Sequence, residues 1–194
     1  TGWYVDVSEE LQYWEVTPDG EWIRHEWFVV RSNPEVHICG RFGILDSMSK
    51  DVLIERLNEA LGWELRAMNM YAHYAANIQG IHRLQLDPMF TEEASESLAH
   101  ADVVRRAIVK LGGVPVTERN PHAIVHATDF TTMLERSLET ETKAAEVYDG
   151  IIKLLDEVGD QEMYDSIEQI YFAELRSLES LRLILAWVAR IILL

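Results

Sequence analysis

Apolar residues recur at helical spacing through most of this chain, in four long stretches separated by turn signals. The first begins near Ser49 and stops at Gly80. The second spans roughly Phe90 to Leu111 and ends at Gly112-Gly113, with Pro115 behind it. A third runs from near Asp129 to about Val158, stopped by Gly159, and a fourth covers about Gln161 to the C-terminus. Small polar residues precede these stretches and glycine follows, the start and stop chemistry of helices. The first and second stretches join through a short connection, as do the third and fourth, so each pair predicts an antiparallel helical hairpin. Between the two hairpins lie roughly fifteen residues, Gly113 to Ala127. The pattern predicts an all-α four-helix bundle over residues 47–194 with one long crossover.

Residues 1–46 follow a different pattern. Tyr13-Trp14-Glu15-Val16 and the run from Trp22 to Val30 are β-prone, and Thr17-Pro18-Asp19-Gly20 between them is a turn signal. A small β-hairpin extension is expected, followed by an irregular linker through Asn33-Pro34 and Gly40-Arg41-Phe42-Gly43. A two-stranded hairpin is not stable alone. Its tryptophans, Trp14, Trp22 and Trp27, are therefore expected to pack on the bundle or on a partner.

The helical stripes contain residues that do not belong in an apolar core. In the third stretch the inward series reads Leu134, Leu138, Glu141, Ala145, Tyr148, Ile152, Leu155. The first reads Leu57, Leu61, Glu64, Met68, Tyr71, Ala75, Ile78, and the fourth Met163, Ile167, Ile170, Glu174, Ser177, Leu181, Ile184, Val188. Three glutamates thus project inward from three helices. Buried carboxylates are costly unless neutralised, and neighbouring ones repel. A bound cation neutralises them most directly; protonation, or hydrogen bonds from Tyr71 and Tyr148, is the alternative. A single such glutamate would favour the alternative, but three on facing helices favour metal. The second stretch turns Ser97, His100, Val104 and Leu111 inward, which brings an imidazole to the same interior.

Charge narrows the partners. The chain has 17 basic and 33 acidic residues, a formal net charge of -16. Such a surface disfavours nucleic acid and anionic membranes and favours cations. One cysteine, Cys39, excludes an intrachain disulfide framework, a zinc ribbon or any iron site built on paired thiolates. A reducing interior is the default compartment on that ground. The chain starts at Thr1 instead of Met, so an upstream segment is expected to have been removed, and no signal peptide remains to be read. The apolar run from Leu181 to Leu194 is interrupted by Arg182 and Arg190 and is too short to span a membrane.

These landmarks resemble the bacterioferritin family. Leu57 to Tyr71, with Glu64 inside it, is similar to that family's first-helix motif. His100-Ala101-Asp102 and Leu111-Gly112-Gly113-Val114-Pro115 look like its second helix and exit, and Met133-Leu134 through Glu141 like its third. The resemblance covers roughly residues 50–190 and implies a ferritin-like bundle with an iron centre inside. It also implies two Glu-x-x-His motifs that this chain lacks in part. The second helix has Ser97-Leu98-Ala99-His100, and the fourth has Glu174-Leu175-Arg176-Ser177. The family's haem-ligating methionine falls at Leu98, so no haem is expected.

The expected metal ligands are therefore Glu64, His100, Glu141 and Glu174. Glu64, His100 and Glu174 would serve a first position, whereas Glu141 and a share of Glu174 leave a second poorly furnished. Glu93 or Glu96 could substitute there, although each reads more simply as a solvated helix-face charge. Two carboxylates and one imidazole suit iron, with manganese or zinc as alternatives. The expectation is an iron-handling protein with one or two metal ions and weak ferroxidase activity. The competing expectation is a metal-depleted scaffold subunit of a larger assembly. Either reading expects a homo-oligomer or a subunit of a larger complex.

Overall fold

The computed structural model describes the backbone of residues 4–5, 10–16, 22–32, 35–39, 47–158 and 160–192, and side chains over residues 50–155 and 160–189. The chain divides into two compact units, Thr1–Met48 and Ser49–Leu194.

In the first unit, four strands, β1 (Tyr4–Val5), β2 (Glu10–Val16), β3 (Trp22–Ser32) and β4 (Glu35–Cys39), lie in sequential antiparallel order. β2 and β3 pair from Glu10↔Phe28 to Val16↔Trp22. Part of the segment expected as an irregular linker is thus the strand β4, paired with the end of β3 from Phe28↔Cys39 to Ser32↔Glu35. The turn at residues 17–20, the rest of the linker and the packing of Trp14, Trp22 and Trp27 lie outside the described residues.

The second unit is built from α1 (Ser47–Asn77), α2 (Arg83–Lys110), α3 (Phe130–Val158) and α4 (Gln161–Ile192). α1 ends three residues short of the Gly80 stop. Gly80, at φ 69°, starts a single 3₁₀ turn that leads directly into α2. α2 then begins at Arg83, not near Phe90, with Pro88 inside the helix. Pro88 lacks an N–H and costs one early backbone bond. Leu86 and Phe90, buried on either side of it, hold the segment against the core, so packing outweighs the break.

The other helix ends follow the sequence. The Asp129 carboxylate accepts the Thr132 N–H at 2.8 Å and caps α3; Asp160 accepts the Met163 N–H at 3.1 Å and caps α4. At the end of α2, Gly112 takes φ 78° and its N–H bonds the Val109 carbonyl, while the Gly113 N–H bonds that of Ile108. This paired closure requires a left-handed residue, which is why glycine stands there.

The crossover runs alongside α1 and is pinned to it about once per turn. Asn58 donates to the Val114 carbonyl and accepts from the Val116 N–H. The Asn120 N–H bonds the Gly62 carbonyl at 2.7 Å. Arg66 donates to the carbonyls of His122 and Ala123, and Tyr74 donates to that of Val125. Asn58, Gly62, Arg66 and Tyr74 stand at multiples of four residues, so one face of α1 carries the whole connection.

Inside the bundle, burial falls into two apolar clusters. One gathers Leu57, Leu61, Ile108, Tyr148, Leu155 and Ile167. The other gathers Met70, Tyr74, Phe90, Met133, Leu134 and Leu181. Glu64, Glu141 and Glu174 fall between them along their helices, and all three are buried. The predicted stripes therefore face inward, with a polar layer separating two dry ones.

Candidate metal centre

Each inward glutamate comes from the middle of its helix, with residues of one apolar cluster before it and of the other after it within two turns. Glu64 is 2% exposed, Glu141 4% and Glu174 4%. Position 100 lies on the face of α2 turned toward them, and its imidazole is 13% exposed.

His100 Nδ1 stands 3.0 Å from Glu174 Oε1 and 3.4 Å from Glu64 Oε1. Glu64, His100 and Glu174 each offer a ligand atom, and these atoms lie within 4.8 Å of one another. Nδ1 is buried and forms no hydrogen bond in this arrangement, despite its closeness to both carboxylates. Its other nitrogen, Nε2, faces outward, 3.7 Å from the carboxylate of Glu96.

The carboxylates are oriented by tyrosines. Tyr148 donates to Glu64 Oε1 at 2.6 Å, and Tyr71 donates to Glu141 Oε1 at 2.5 Å. Both rings are fully buried, so these bonds are shielded from water. The tyrosine bonds that sequence offered as an alternative to metal are thus present. They satisfy one oxygen of each of two carboxylates and bring no positive charge.

Proton affinities register the crowding. Burial pushes the Glu141 carboxyl well above the usual carboxylate range, and the charge of Glu174 adds to it. Burial likewise pushes Glu174 up to about 8, with the Glu64 charge next in importance. For His100, burial opposes the cationic form, but the surrounding carboxylates, Glu64 first, outweigh it and hold the imidazole above its ordinary value. All three shifts favour the protonated form, as crowding of buried carboxyl groups dictates.

Of the four residues expected as ligands, Glu64, His100 and Glu174 come together. Glu141 stands beside Glu174 and outside the triad. Glu96 keeps 42% of its side chain exposed, as a helix-face charge should. Glu93 does not behave as a solvated charge. It is half-buried and accepts a hydrogen bond from Ser177 Oγ, 3.2 Å from one oxygen and 3.4 Å from the other. Only its position one turn before Ser97 signalled this in the sequence.

A bundle of this architecture with inward carboxylates and an imidazole has clear relatives. The ferritin-like domain matches residues 54–191. The chain belongs to the ferritin-like family. Among solved structures it is similar to ferritin-like, diiron-carboxylate proteins from Bacillus anthracis, with 31% identity and a TM-score of 0.67 over 71% of this chain and 97% of that one. A dodecameric thioferritin, the bacterioferritin-related protein from Bacteroides fragilis, is 27% identical with a TM-score of 0.67, over 73% and 89% of the two chains. Rhodobacter capsulatus bacterioferritin, described with a metal-free dinuclear site and a haem iron, is 25% identical with a TM-score of 0.64, over 72% and 87%. No curated protein matches the chain in sequence. Among the described residues of this ferritin-like chain, no helix is long and apolar enough to cross a membrane.

Proposed function

We propose that this ferritin-like protein handles iron, binding it inside the bundle through Glu64, His100 and Glu174, with weak ferroxidase activity. The observation that carries this reading is His100 Nδ1, buried between two carboxylates and hydrogen-bonded to neither. Once a cation displaces its proton, the imidazole presents a lone pair at that nitrogen, and carboxylates are its natural companions around a borderline cation. The residues present therefore fit a metal ion. Manganese and zinc suit the same donor set, and iron is preferred on the kinship with diiron-carboxylate proteins.

The residues have separable roles. His100 supplies nitrogen, while Glu64 and Glu174 supply oxygen and offset the charge. Tyr148 holds Glu64 by its hydroxyl and fixes which oxygen is free. Tyr71 does the same for Glu141, which contributes negative charge beside Glu174. The apolar clusters on either side exclude water and keep the ligands in place. Bound iron would supply one-electron exchange with an oxidant. Ser97 and Ser177, which offer no strong donor, make that exchange slow by comparison with a fully furnished pair.

Self-association accompanies this reading. Ile81, Leu84, Leu183 and Trp187 are each more than three-fifths exposed, and a bacterioferritin-related neighbour is dodecameric. Light scattering on the purified protein tests this part separately.

Elemental analysis after anaerobic loading with ferrous iron, followed by exhaustive desalting, tests the metal reading. Retained iron in the wild type, abolished by His100→Ala, is expected. No retained metal of any kind would leave the competing reading, a ferritin-like scaffold subunit.

A further inference from the structure

At one end of the bundle the apolar surface is not closed. The starts of α2 and α3 and the end of α4 enclose a groove of about 520 Å³, walled by Leu86, Met89, Phe130, Leu134, Ile184 and Trp187. Trp187 is exposed in this wall, and so are Ile81 and Leu84, next in sequence to residues 82 and 85, which also line it. A concave apolar surface of this kind is unfavourable in water until something fills it.

The end of α4 has the complementary character. The helix continues from Val188 to Ile192, about 6 Å further along its axis. Its partner α3 begins at Phe130, already in the wall of the groove, so α3 offers that last turn nothing to pack on. A continuous helix also carries the turn away from its own groove. The sequence there reads Arg190-Ile191-Ile192-Leu193-Leu194. Residues 180–194 include Arg182 and Arg190 and no acidic residue, in a chain whose net charge is -16. The edge of the groove has the opposite sign. Asp129 precedes Phe130 and Glu135 follows Leu134, both exposed. The nearby cations are already engaged, Arg83 by Asp87 and Arg136 by Glu139. An apolar segment led by an arginine thus complements an apolar groove edged by carboxylates, but only between two chains.

We infer that this groove is the docking site for residues 190–194 of a second copy of the chain. The inference rests on the self-association proposed above and goes beyond it in naming the two surfaces that meet. Segment and groove are different patches of one chain, so the contact is head-to-tail. Each copy gives its α4 end to one neighbour and receives that of another, an arrangement that closes into a ring or runs on as a filament.

The test uses two variants of the whole chain, each removing one half of the contact. Trp187→Glu puts a charge in the groove wall at an exposed position and leaves the segment as it is. The double variant Ile191→Glu, Ile192→Glu charges the segment and leaves the groove as it is. Light scattering and native mass spectrometry read wild type, each variant, and an equimolar mixture with one variant isotope-labelled. The wild type is expected to associate, and each variant alone to need roughly tenfold more protein to do so. The mixture is expected to give complexes containing both variants, because one still offers a segment and the other a groove. Arg190→Glu is expected to weaken association at low salt and to match wild type at high salt. Thermal melting checks that each variant is folded, and mixed complexes themselves require it. Variants that associate as wild type does would overturn the inference. So would a mixture without mixed complexes from variants that melt as wild type does, which would leave self-association standing through another surface. A small molecule carried by wild type and lost in Trp187→Glu, with association unchanged, would overturn it as well. A wild type that stays a single chain at every concentration would remove self-association itself, and this inference with it.

Discussion

Stripping the metal should make this protein less stable as pH rises through neutrality, the reverse of what an acidic surface with paired carboxylates usually does. Unfolded carboxyl groups titrate near 4.3. Burial raises Glu141 well above that range, Glu174 to about 8 and Glu93 to about 7. A raised carboxyl pKa means that the folded state holds protons that the unfolded chain has released. Its contribution to stability is present below the unfolded pKa and lost as pH climbs through the folded one. His100, also raised, acts in the same direction. The carboxylates with lowered values, Asp129, Asp160 and Glu139, change stability only at pH below their ordinary range, outside the window that matters.

The smallest slope follows from one extra proton in the folded state. Each pH unit then removes about 1.4 kcal/mol, so going from about pH 5.5 to pH 7.5 costs roughly 2–3 kcal/mol. Glu141 and Glu174 share one interior and titrate as a pair, which makes one proton a floor. For a chain of this size the midpoint of thermal unfolding should fall by roughly 5–10 °C. The assay is melting of chelator-treated protein followed by circular dichroism across that range. A bound cation requires the ionised ligands, so metal should stabilise most at the upper end and flatten the curve. The double variant Glu141→Gln, Glu174→Gln should flatten it without metal. A metal-free midpoint that is constant or rises with pH, or a double variant with the same slope as wild type, would refute the reasoning.

Three further predictions are more local. A Cβ added at Gly113 would lie 2.7 Å from Ile54 Cγ2 and 3.0 Å from Ile108 Cγ2, so Gly113→Ala should lose about 1–3 kcal/mol in urea unfolding with metal content unchanged. Arg66→Met keeps the buried stem but removes the donors to His122, Ala123 and Thr140; limited proteolysis should then cut within residues 113–127 well before wild type. With Leu98 at the position that the bacterioferritin resemblance gives to methionine, and 46% exposed, incubation with haem followed by desalting should leave no Soret band.

How much of this was legible in the sequence depends on how far apart the interacting residues are. The glutamate stripes were legible because burial in a bundle repeats every turn, and a charged residue in a run such as Leu57, Leu61, Glu64, Tyr71 breaks the pattern visibly. The crossover was legible from spacing alone, since helices joined by residues 113–127 cannot form a tight hairpin. The pattern puts the start of α2 near Phe90 and it lies at Arg83, because the burial of Leu86 and Phe90 that carries the helix through Pro88 is a tertiary effect. Arg66 gave no signal: its partners are carbonyls more than fifty positions away, and the sequence does not show which carbonyls a crossover turns inward. Glu93 gave half a signal. One turn before Ser97 it was a candidate, but its destination on α4 depends on how α2 and α4 face each other.

That facing also brings the two positions at which the chain departs from the bacterioferritin resemblance onto neighbouring helices. Ser97 belongs to α2 and Ser177 to α4, and the contacts that tie these helices near the centre are His100 to Glu174 and Ser177 to Glu93. Both serines therefore lie on a single seam of the bundle. Replacing a glutamate and a histidine by two serines removes volume and ligands from one side of the polar layer while leaving the apolar clusters intact. The fold does not depend on the lost groups, because its stability comes from those clusters, and an empty space in the seam would itself be unfavourable. Glu93, one turn before Ser97, places a carboxylate against Ser177 in this seam. It crosses the seam to reach the position that the bacterioferritin resemblance gives to a histidine.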